Sequence, residues 1–315
     1  MKRIKILTLA AFAFAATATT AVAQTAGFLN QADDARSMAM GGAVMGLEGD
    51  AGTISVNPAS MMMNDYMFSA NVGYQALKPT TALNNQVNLA GFLKFSDNFG
   101  MSIFGKYVQM PTYDLMDKNG NLLSQFTPSE LAAGLGFAYR IGENFSIGLN
   151  AKFIRSAISD AEYIDIYQDG TAFAGDLSLM YRLNNLRIAA GITNIGTKIT
   201  YIIDGEGYQL PAAGRVGVGY GAQFSNFTLD ASAEVNYYLA SSTVGAGLGL
   251  ELGYANTGFL RAGFHYASNE GTIPTYASVG LGGKFGKHNL GLAYLLPLGT
   301  EALKNTLMIS YGFNF

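Results

Sequence analysis

Apolar and polar residues alternate with a period of two along most of the chain beyond residue 65. The segment 145–153 reads FSIGLNAKF and the segment 227–237 reads FTLDASAEVNY, and in both every second residue is apolar. This period is typical of β-strands with one apolar face and one polar or small face. The pattern predicts fourteen strands, over 66–77, 86–95, 98–108, 130–140, 144–154, 171–183, 186–194, 212–224, 227–238, 243–255, 258–267, 275–286, 288–297 and 305–315.

The connections between these strands alternate in length. Tight turns are expected at 96–97, 142–143, 184–185, 225–226, 256–257 and 286–287, whereas the connections 78–85, 109–129, 155–170, 195–211, 268–274 and 298–304 are longer, with the short link 240–242 as the exception. Bacterial outer-membrane barrels combine short periplasmic turns with longer external loops. We therefore expect an all-β fold, a transmembrane antiparallel β-barrel of about 14 strands.

Charged residues within the strands support this interpretation. If the apolar face of each strand points outward, the charges fall on the inward face. An Arg or Lys exposed at the bilayer midplane would cost about 2–4 kcal/mol. The residues concerned are Lys94, Lys106, Glu130, Arg140, Lys152, Asp176, Arg182, Arg187, Arg215, Asp230, Glu234, Glu251, Arg261 and Lys284.

The N-terminal 64 residues differ from the rest of the chain. Residues 1–23 have a basic start, an apolar stretch and a small-x-small end, which predicts a cleaved signal peptide and export to the bacterial outer membrane. Residues 24–64 lack alternation and are rich in Ala, Gly and Met. Because side chains alone fill only narrower barrels, we expect 24–64 to be a hatch in the lumen of a barrel formed by 65–315. Within the hatch we expect a short helix over 31–40 and a turn at 57–59.

The composition of the chain argues against several classes of function. The chain has no Cys and two His, and its 19 Lys+Arg against 22 Asp+Glu give a net charge of −3. A disulfide scaffold is excluded, and nucleic acid is not an expected partner. The start of a calcium loop at 117–121 fails because its twelfth position is Pro128. We expect no catalytic residue, no metal and no cofactor, hence no enzyme, and outer-membrane lipid as a partner.

Two motifs in the hatch carry a family resemblance. The stretch 34–43 reads DARSMAMGGA and is followed by NPA at 57–59. Together they resemble the N-terminal signature of the FadL-like outer-membrane superfamily and, more narrowly, of the PorV/PorQ family of type IX secretion. The stretches 117–120, 152–156 and 193–199 are also similar to PorV. The signature residues are Asp34, Arg36, Gly41, Gly42, Asn57 and Pro58.

The PorV resemblance implies one function. A PorV-like barrel binds secreted cargo through the cargo's C-terminal signal domain and hands it to the surface attachment machinery, so that cargo proteins and other type IX secretion components would be partners. The external loops 109–129, 155–170 and 195–211 would then contact cargo. They contain tyrosines, which suit protein interfaces but also form the aromatic girdle of membrane barrels. These are Tyr113, Tyr163, Tyr167, Tyr201 and Tyr208.

The wider FadL-like resemblance implies an alternative function, transport of a hydrophobic small ligand through the barrel. Such transport needs an apolar pocket, and the adaptable side chain of methionine suits one. The same methionines would equally pack the hatch against the wall. They are Met38, Met40, Met45, Met61, Met62 and Met63.

Overall fold

A computed structural model describes residues 25–78, 83–117, 119–158, 166–268, 273–298 and 303–315. The predicted signal peptide and Tyr163 lie outside these residues. Sixteen strands occur in the described chain. They are β1 Phe68–Leu77, β2 Asn84–Lys94, β3 Phe99–Gln109, β4 Tyr113–Met116, β5 Leu122–Phe126, β6 Ser129–Ile141, β7 Phe145–Ala157, β8 Gly170–Leu183, β9 Leu186–Gly196, β10 Ala213–Phe224, β11 Phe227–Tyr238, β12 Thr243–Tyr254, β13 Gly258–Ala267, β14 Tyr276–Phe285, β15 His288–Pro297 and β16 Thr306–Asn314.

Fourteen of these strands close into one antiparallel barrel, which confirms the predicted fold. Each strand pairs with its neighbours in sequence, and β1 pairs with β16 to close the cylinder, with Val72 opposite Tyr311. The two remaining strands, β4 and β5, form a separate hairpin between β3 and β6 that the alternation did not predict. Since closure leaves no free edge, every barrel strand has a partner on both sides.

One end of the barrel carries the tight turns. Two residues, Asn184 and Asn185, join β8 to β9, and Ser225 and Asn226 join β10 to β11. Asn184 and Ser225 have φ of 52° and 53°, the left-handed conformation that the twist of a short hairpin favours. The longer connections lie at the opposite end. We refer to these ends as the turn end and the loop end.

The wall is apolar outside and polar inside, as predicted. Outward residues such as Phe173 and Leu248 are 65% and 56% exposed. Nine of the fourteen predicted inward charges are buried, and the other five are partly buried near the turn end. No helix among the described residues is long and apolar enough to cross a membrane. The buried charges are Lys106, Glu130, Lys152, Asp176, Arg187, Arg215, Glu234, Glu251 and Arg261.

The hatch, residues 25–64, threads the lumen from end to end. At the loop end the Thr25 amide donates to the Gln209 carbonyl over 3.2 Å. At the turn end the Lys94 ammonium donates to the Asn64 side chain over 3.1 Å. The hatch contains 3-10 helices at Gly27–Asn30 and Pro58–Met63 and the short helix α1, Ala35–Ala39.

Two local predictions for the hatch need correction. The predicted helix over 31–40 shrinks to α1 because Asp34 is extended and caps it, accepting the Ser37 amide over 2.8 Å. The helix ends as predicted before Gly41 and Gly42, whose φ values are +66° and +71°. The predicted turn at 57–59 instead begins the second 3-10 helix, since proline suits a first helical position.

Candidate functional site

The hatch backbone lies directly against glycines of the barrel wall. A Cβ at Gly247 would stand 2.7 Å from the Gly41 carbonyl oxygen, and one at Gly249 would stand 2.6 Å from that of Met40. Both distances are shorter than van der Waals contact allows. Glycine is therefore the residue that lets the hatch approach β12 this closely.

A buried carboxylate on β11 holds the middle of the hatch. One oxygen of Glu234 accepts the Val44 and Met45 amides over 2.7 and 2.8 Å, and the other accepts the Arg215 guanidinium over 3.0 Å. Glu234 is 2% exposed. The carboxylate thus satisfies two backbone donors that the irregular hatch leaves without helical partners.

Arg36 joins the N-terminal part of the hatch to strands β11 and β12. Its Nε and Nη2 donate to the two oxygens of Glu251 over 3.1 and 3.2 Å, the bidentate geometry that guanidinium and carboxylate favour. Nη2 also lies 3.6 Å from Asp230, and Nη1 donates to the Glu48 carbonyl over 3.1 Å. One side chain of the signature therefore joins the wall and a second hatch segment.

Serine hydroxyls of the barrel wall also form hydrogen bonds with the hatch backbone. Ser278 donates to the Ala39 carbonyl over 2.9 Å, and Ser310 accepts the Ala35 amide over 3.2 Å. Ser146 donates to the Ala59 carbonyl over 2.9 Å, and Ser178 accepts its amide over 3.0 Å. Sequence alternation identifies these serines only as inward residues.

Four of the six predicted signature residues make contacts that hold this segment in place. Asp34 caps α1, Arg36 forms the ion pairs, and Gly41 lies against β12. Asn57 is fully buried and donates to the Met45 carbonyl over 2.9 Å, joining the two halves of the hatch.

The six hatch methionines are buried. Met45 and Met63 pack with Met180 and Ala189 of the wall, while Met61 and Met62 pack with Phe92. Met38 alone among the six also borders a small cavity, of about 50 Å³. In this structure the methionines mainly pack the hatch against the wall.

Two larger cavities lie at opposite ends of the hatch. The turn-end cavity has a volume of about 750 Å³ and is lined mostly by charged and amide side chains, Arg36, Arg182 and Asp230 among them. The loop-end cavity has a volume of about 270 Å³ and no lining residue in common with the first. Its apolar lining consists of Phe28, Leu77, Val108, Met110, Ile273, Pro274 and Leu303, and its polar lining of Gln31, Gln75, Asn84, Asn85, Gln86 and Glu130.

Asp50 of the hatch borders the turn-end cavity. Burial, together with the negative charge of Asp34, raises the pKa of Asp50 to about 6, although Arg36 acts in the opposite direction. The Asp50 carboxylate accepts the Gly52 amide over 2.9 Å. The folded protein therefore disfavours the ionised form of Asp50.

The predicted loop tyrosines do not share one surface. Tyr201 is 7% exposed and hydrogen-bonded to Ser156 inside the loop end, so its ring is not displayed to an external protein. Tyr113 and Tyr208 are exposed. Tyr167 is partly buried and its backbone bridges to Ile202. Tyr163 lies outside the described residues.

Solved structures share the fold of this chain. The toluene transporter TbuX of Ralstonia pickettii matches with a TM-score of 0.63 at 15% identity, over 91% of this chain and 100% of that chain. TodX, a Pseudomonas putida toluene transporter, gives 0.62 at 15% identity over 94% and 100%. A FadL homologue of Pseudomonas aeruginosa gives 0.55 at 12% identity over 90% and 99%. No family model and no curated protein sequence matches the chain.

The wall, the filled lumen and these likenesses define the class of protein. It is an outer-membrane β-barrel whose lumen contains its own N-terminal segment. Its fold is that of the FadL-like barrels. The narrower resemblance to PorV/PorQ rests on the sequence motifs alone.

Proposed function

We propose that this barrel transports small hydrophobic molecules across the outer membrane. The observation that carries the proposal is the loop-end cavity of about 270 Å³, in which apolar side chains come from β1, β3, the neighbouring connections and the hatch. Binding sites for small molecules are concave and mostly apolar, with few polar groups. The cavity lies under the connections that face the outside in barrels of this kind.

The structural neighbours also support transport of small hydrophobic molecules. TodX and TbuX are described as toluene transporters, and CymD as a monoaromatic hydrocarbon channel. Their likeness to this chain is one of fold. A hydrophobic ligand of similar size fits the proposal because the cavity is small and Phe28 of the hatch lines it.

Transport requires the hatch to move. The loop-end and turn-end cavities are separate, and between them the hatch contacts the glycine wall at Gly247 and Gly249. We propose that a ligand first binds at the loop end and passes when the hatch segment 38–47 shifts. The attachments to the wall are polar and individually modest, which suits a segment that must be displaced.

Filling the cavity tests the proposal. Val108 lines the cavity from β3, and Val87 on the neighbouring strand points outward with 37% exposure. Val108→Trp should lower the uptake rate of labelled toluene by complemented cells severalfold, while Val87→Trp should leave the rate unchanged. Both variants must show the heat-dependent gel shift of a folded barrel. Equal uptake by the two folded variants would contradict the proposal.

A second candidate function is the PorV-like transfer of secreted cargo. The β4–β5 hairpin favours it, because this external element exposes Met116, Leu122 and Leu123 at 55%, 56% and 42% beside the exposed Tyr113. Exposed apolar patches mark interaction sites. Deletion of the gene should then trap secreted proteins in the periplasm, and capture of the barrel should recover proteins that share a C-terminal domain. Normal secretion after deletion would rule out this function.

A further inference from the structure

A chain of hydroxyl groups ends on the carboxylate of Glu130 at the loop end. Tyr201 donates to Ser156 over 3.0 Å, and Ser156 donates to Glu130 Oε1 over 2.8 Å. The Thr25 hydroxyl lies 2.5 Å from that of Tyr201. Because the Tyr201 proton points to Ser156, Thr25 must be the donor in this last contact. Every proton of the chain is thus directed towards Glu130, which is its terminal acceptor.

Glu130 has no cationic partner among the described residues. No ion pair in that part of the chain includes it. Of the inward lysines nearby, Lys106 lies 2.6 Å from Asp33 and Lys152 lies 2.8 Å from Asp176. Glu130 is 7% exposed and lines the loop-end cavity. A carboxylate has about four acceptor sites, and the protein supplies one hydroxyl donor through Ser156.

The buried amides beside the cavity also present acceptors. The Gln86 nitrogen donates to the Ala32 carbonyl and to Asn88, each over 3.1 Å, and the Gln75 nitrogen donates to Gln31 over 3.5 Å. Within the described structure, the oxygens of Gln75 and Gln86 have no donor. Among the described residues, no Lys or Arg lines this cavity. Its deep polar groups therefore favour a ligand that donates hydrogen bonds.

We propose that the loop-end cavity selects apolar molecules that carry a protonated amine, with Glu130 accepting from the ammonium group. This inference rests on the proposed function and names the substrate class of the same cavity. A ligand carboxylate would meet Glu130 as a like charge and would find no cation to pair with. An ammonium group instead supplies the hydrogen-bond donors and the positive charge that no described residue offers to Glu130, apart from the hydroxyl of Ser156.

Three probes of similar shape test the inference: benzylamine, toluene and benzoate. Each is titrated calorimetrically into the purified, detergent-solubilised barrel at pH 7.5. Benzylammonium should bind most tightly, toluene more weakly and benzoate least. Glu130→Gln keeps the shape of the side chain and should weaken benzylammonium binding by about tenfold or more, the effect of one hydrogen bond to a charged group. It should leave toluene binding unchanged. Glu143→Gln, in an exposed turn at the other end, is the matched control.

The outcomes separate this inference from the proposed function. If toluene binds, and benzoate binds as tightly as benzylammonium or more tightly, the inference is overturned while the proposed function stands. Folded Glu130→Gln protein that binds benzylammonium as the wild type does also overturns it. Failure of all three probes to bind removes the proposed function together with the inference. The ranking of probes on the wild-type protein needs no variant, so it decides the question even where Glu130→Gln does not fold.

Discussion

At the scale of single residues, glycines of the wall determine how closely the hatch can lie. In the alternating pattern Gly247 and Gly249 are simply small residues on the polar face of β12. In the structure they contact the backbone at Met40 and Gly41. The sequence indicates that room exists inside the barrel, but not which atoms occupy it. That information depends on a contact between residues some 200 positions apart, which no local pattern contains.

The first prediction concerns this contact. Gly247→Ala places a Cβ 2.7 Å from the Gly41 carbonyl oxygen, which is backbone and yields little. We expect a destabilisation of about 1–3 kcal/mol, typical of overpacking, and displacement of the hatch. The displacement should be measured as increased ion conductance in planar bilayers.

Gly214→Ala is the control for that variant, because a Cβ at Gly214 would meet nothing within 4 Å. Its conductance and thermal midpoint should match those of the wild type. If Gly247→Ala behaves in the same way, the close seating of the hatch does not limit permeation.

At the scale of elements, the hatch is a segment of three short helices whose order comes from the wall. α1 has only five residues, too few to be stable alone. The wall supplies hydrogen bonds that the hatch does not form internally, through Glu234, Ser278 and Arg215 among others. The sequence therefore predicted the end of the helix before Gly41 and Gly42 but overestimated its length. The capping Asp34 decides where the helix begins, and the positive φ of the two glycines decides where it ends.

The second prediction concerns Asp50 in the hatch. Its pKa is raised from 3.8 to about 6 in the folded protein, so folding favours the protonated form. The ionised carboxyl therefore lowers stability progressively as pH rises from about 4 to about 6. Asp50→Asn cannot ionise and should have a higher thermal midpoint than the wild type above pH 6, with little difference at pH 4.

Asp97→Asn, in an exposed turn, provides the comparison and should follow the wild type at both pH values. The midpoints should be measured by circular dichroism in one detergent across pH 4 to 8. A constant difference between Asp50→Asn and the wild type over that range would show that burial of Asp50 does not control the pH dependence.

At the scale of the whole molecule, the two faces of the wall meet different solvents. The outer face exposes Leu248, Leu250 and their apolar neighbours, while the inner face buries the charges. The period of two determines which residues share a face, because successive strand side chains point to opposite sides. The placement of the charges opposite the apolar residues then indicates that the apolar face meets lipid.

The third prediction tests the lipid-facing surface. Leu248 lies in the middle of β12 and is 56% exposed. Leu248→Arg should destabilise the membrane-inserted barrel by about 2–4 kcal/mol, the cost of an arginine at the bilayer midplane. It should reduce the heat-modifiable fraction in membranes. Asn98→Arg, in an exposed turn, should leave that fraction unchanged, and an equal loss in both variants would argue against the orientation of the wall.

The sequence by itself determined the number of barrel strands and their inward and outward faces, and it predicted a segment for the lumen. These properties follow from a period of two, turn residues and charge, all of which act over a few neighbouring residues. The tertiary structure alone decided which groups meet inside. It joined Glu234 to the hatch backbone and placed Tyr201 beside Ser156. It also left Glu130 at the loop-end cavity without an ion-pair partner in the part of the chain that the structure describes. Such contacts join distant parts of the chain, so they exist only once the barrel has closed around its hatch.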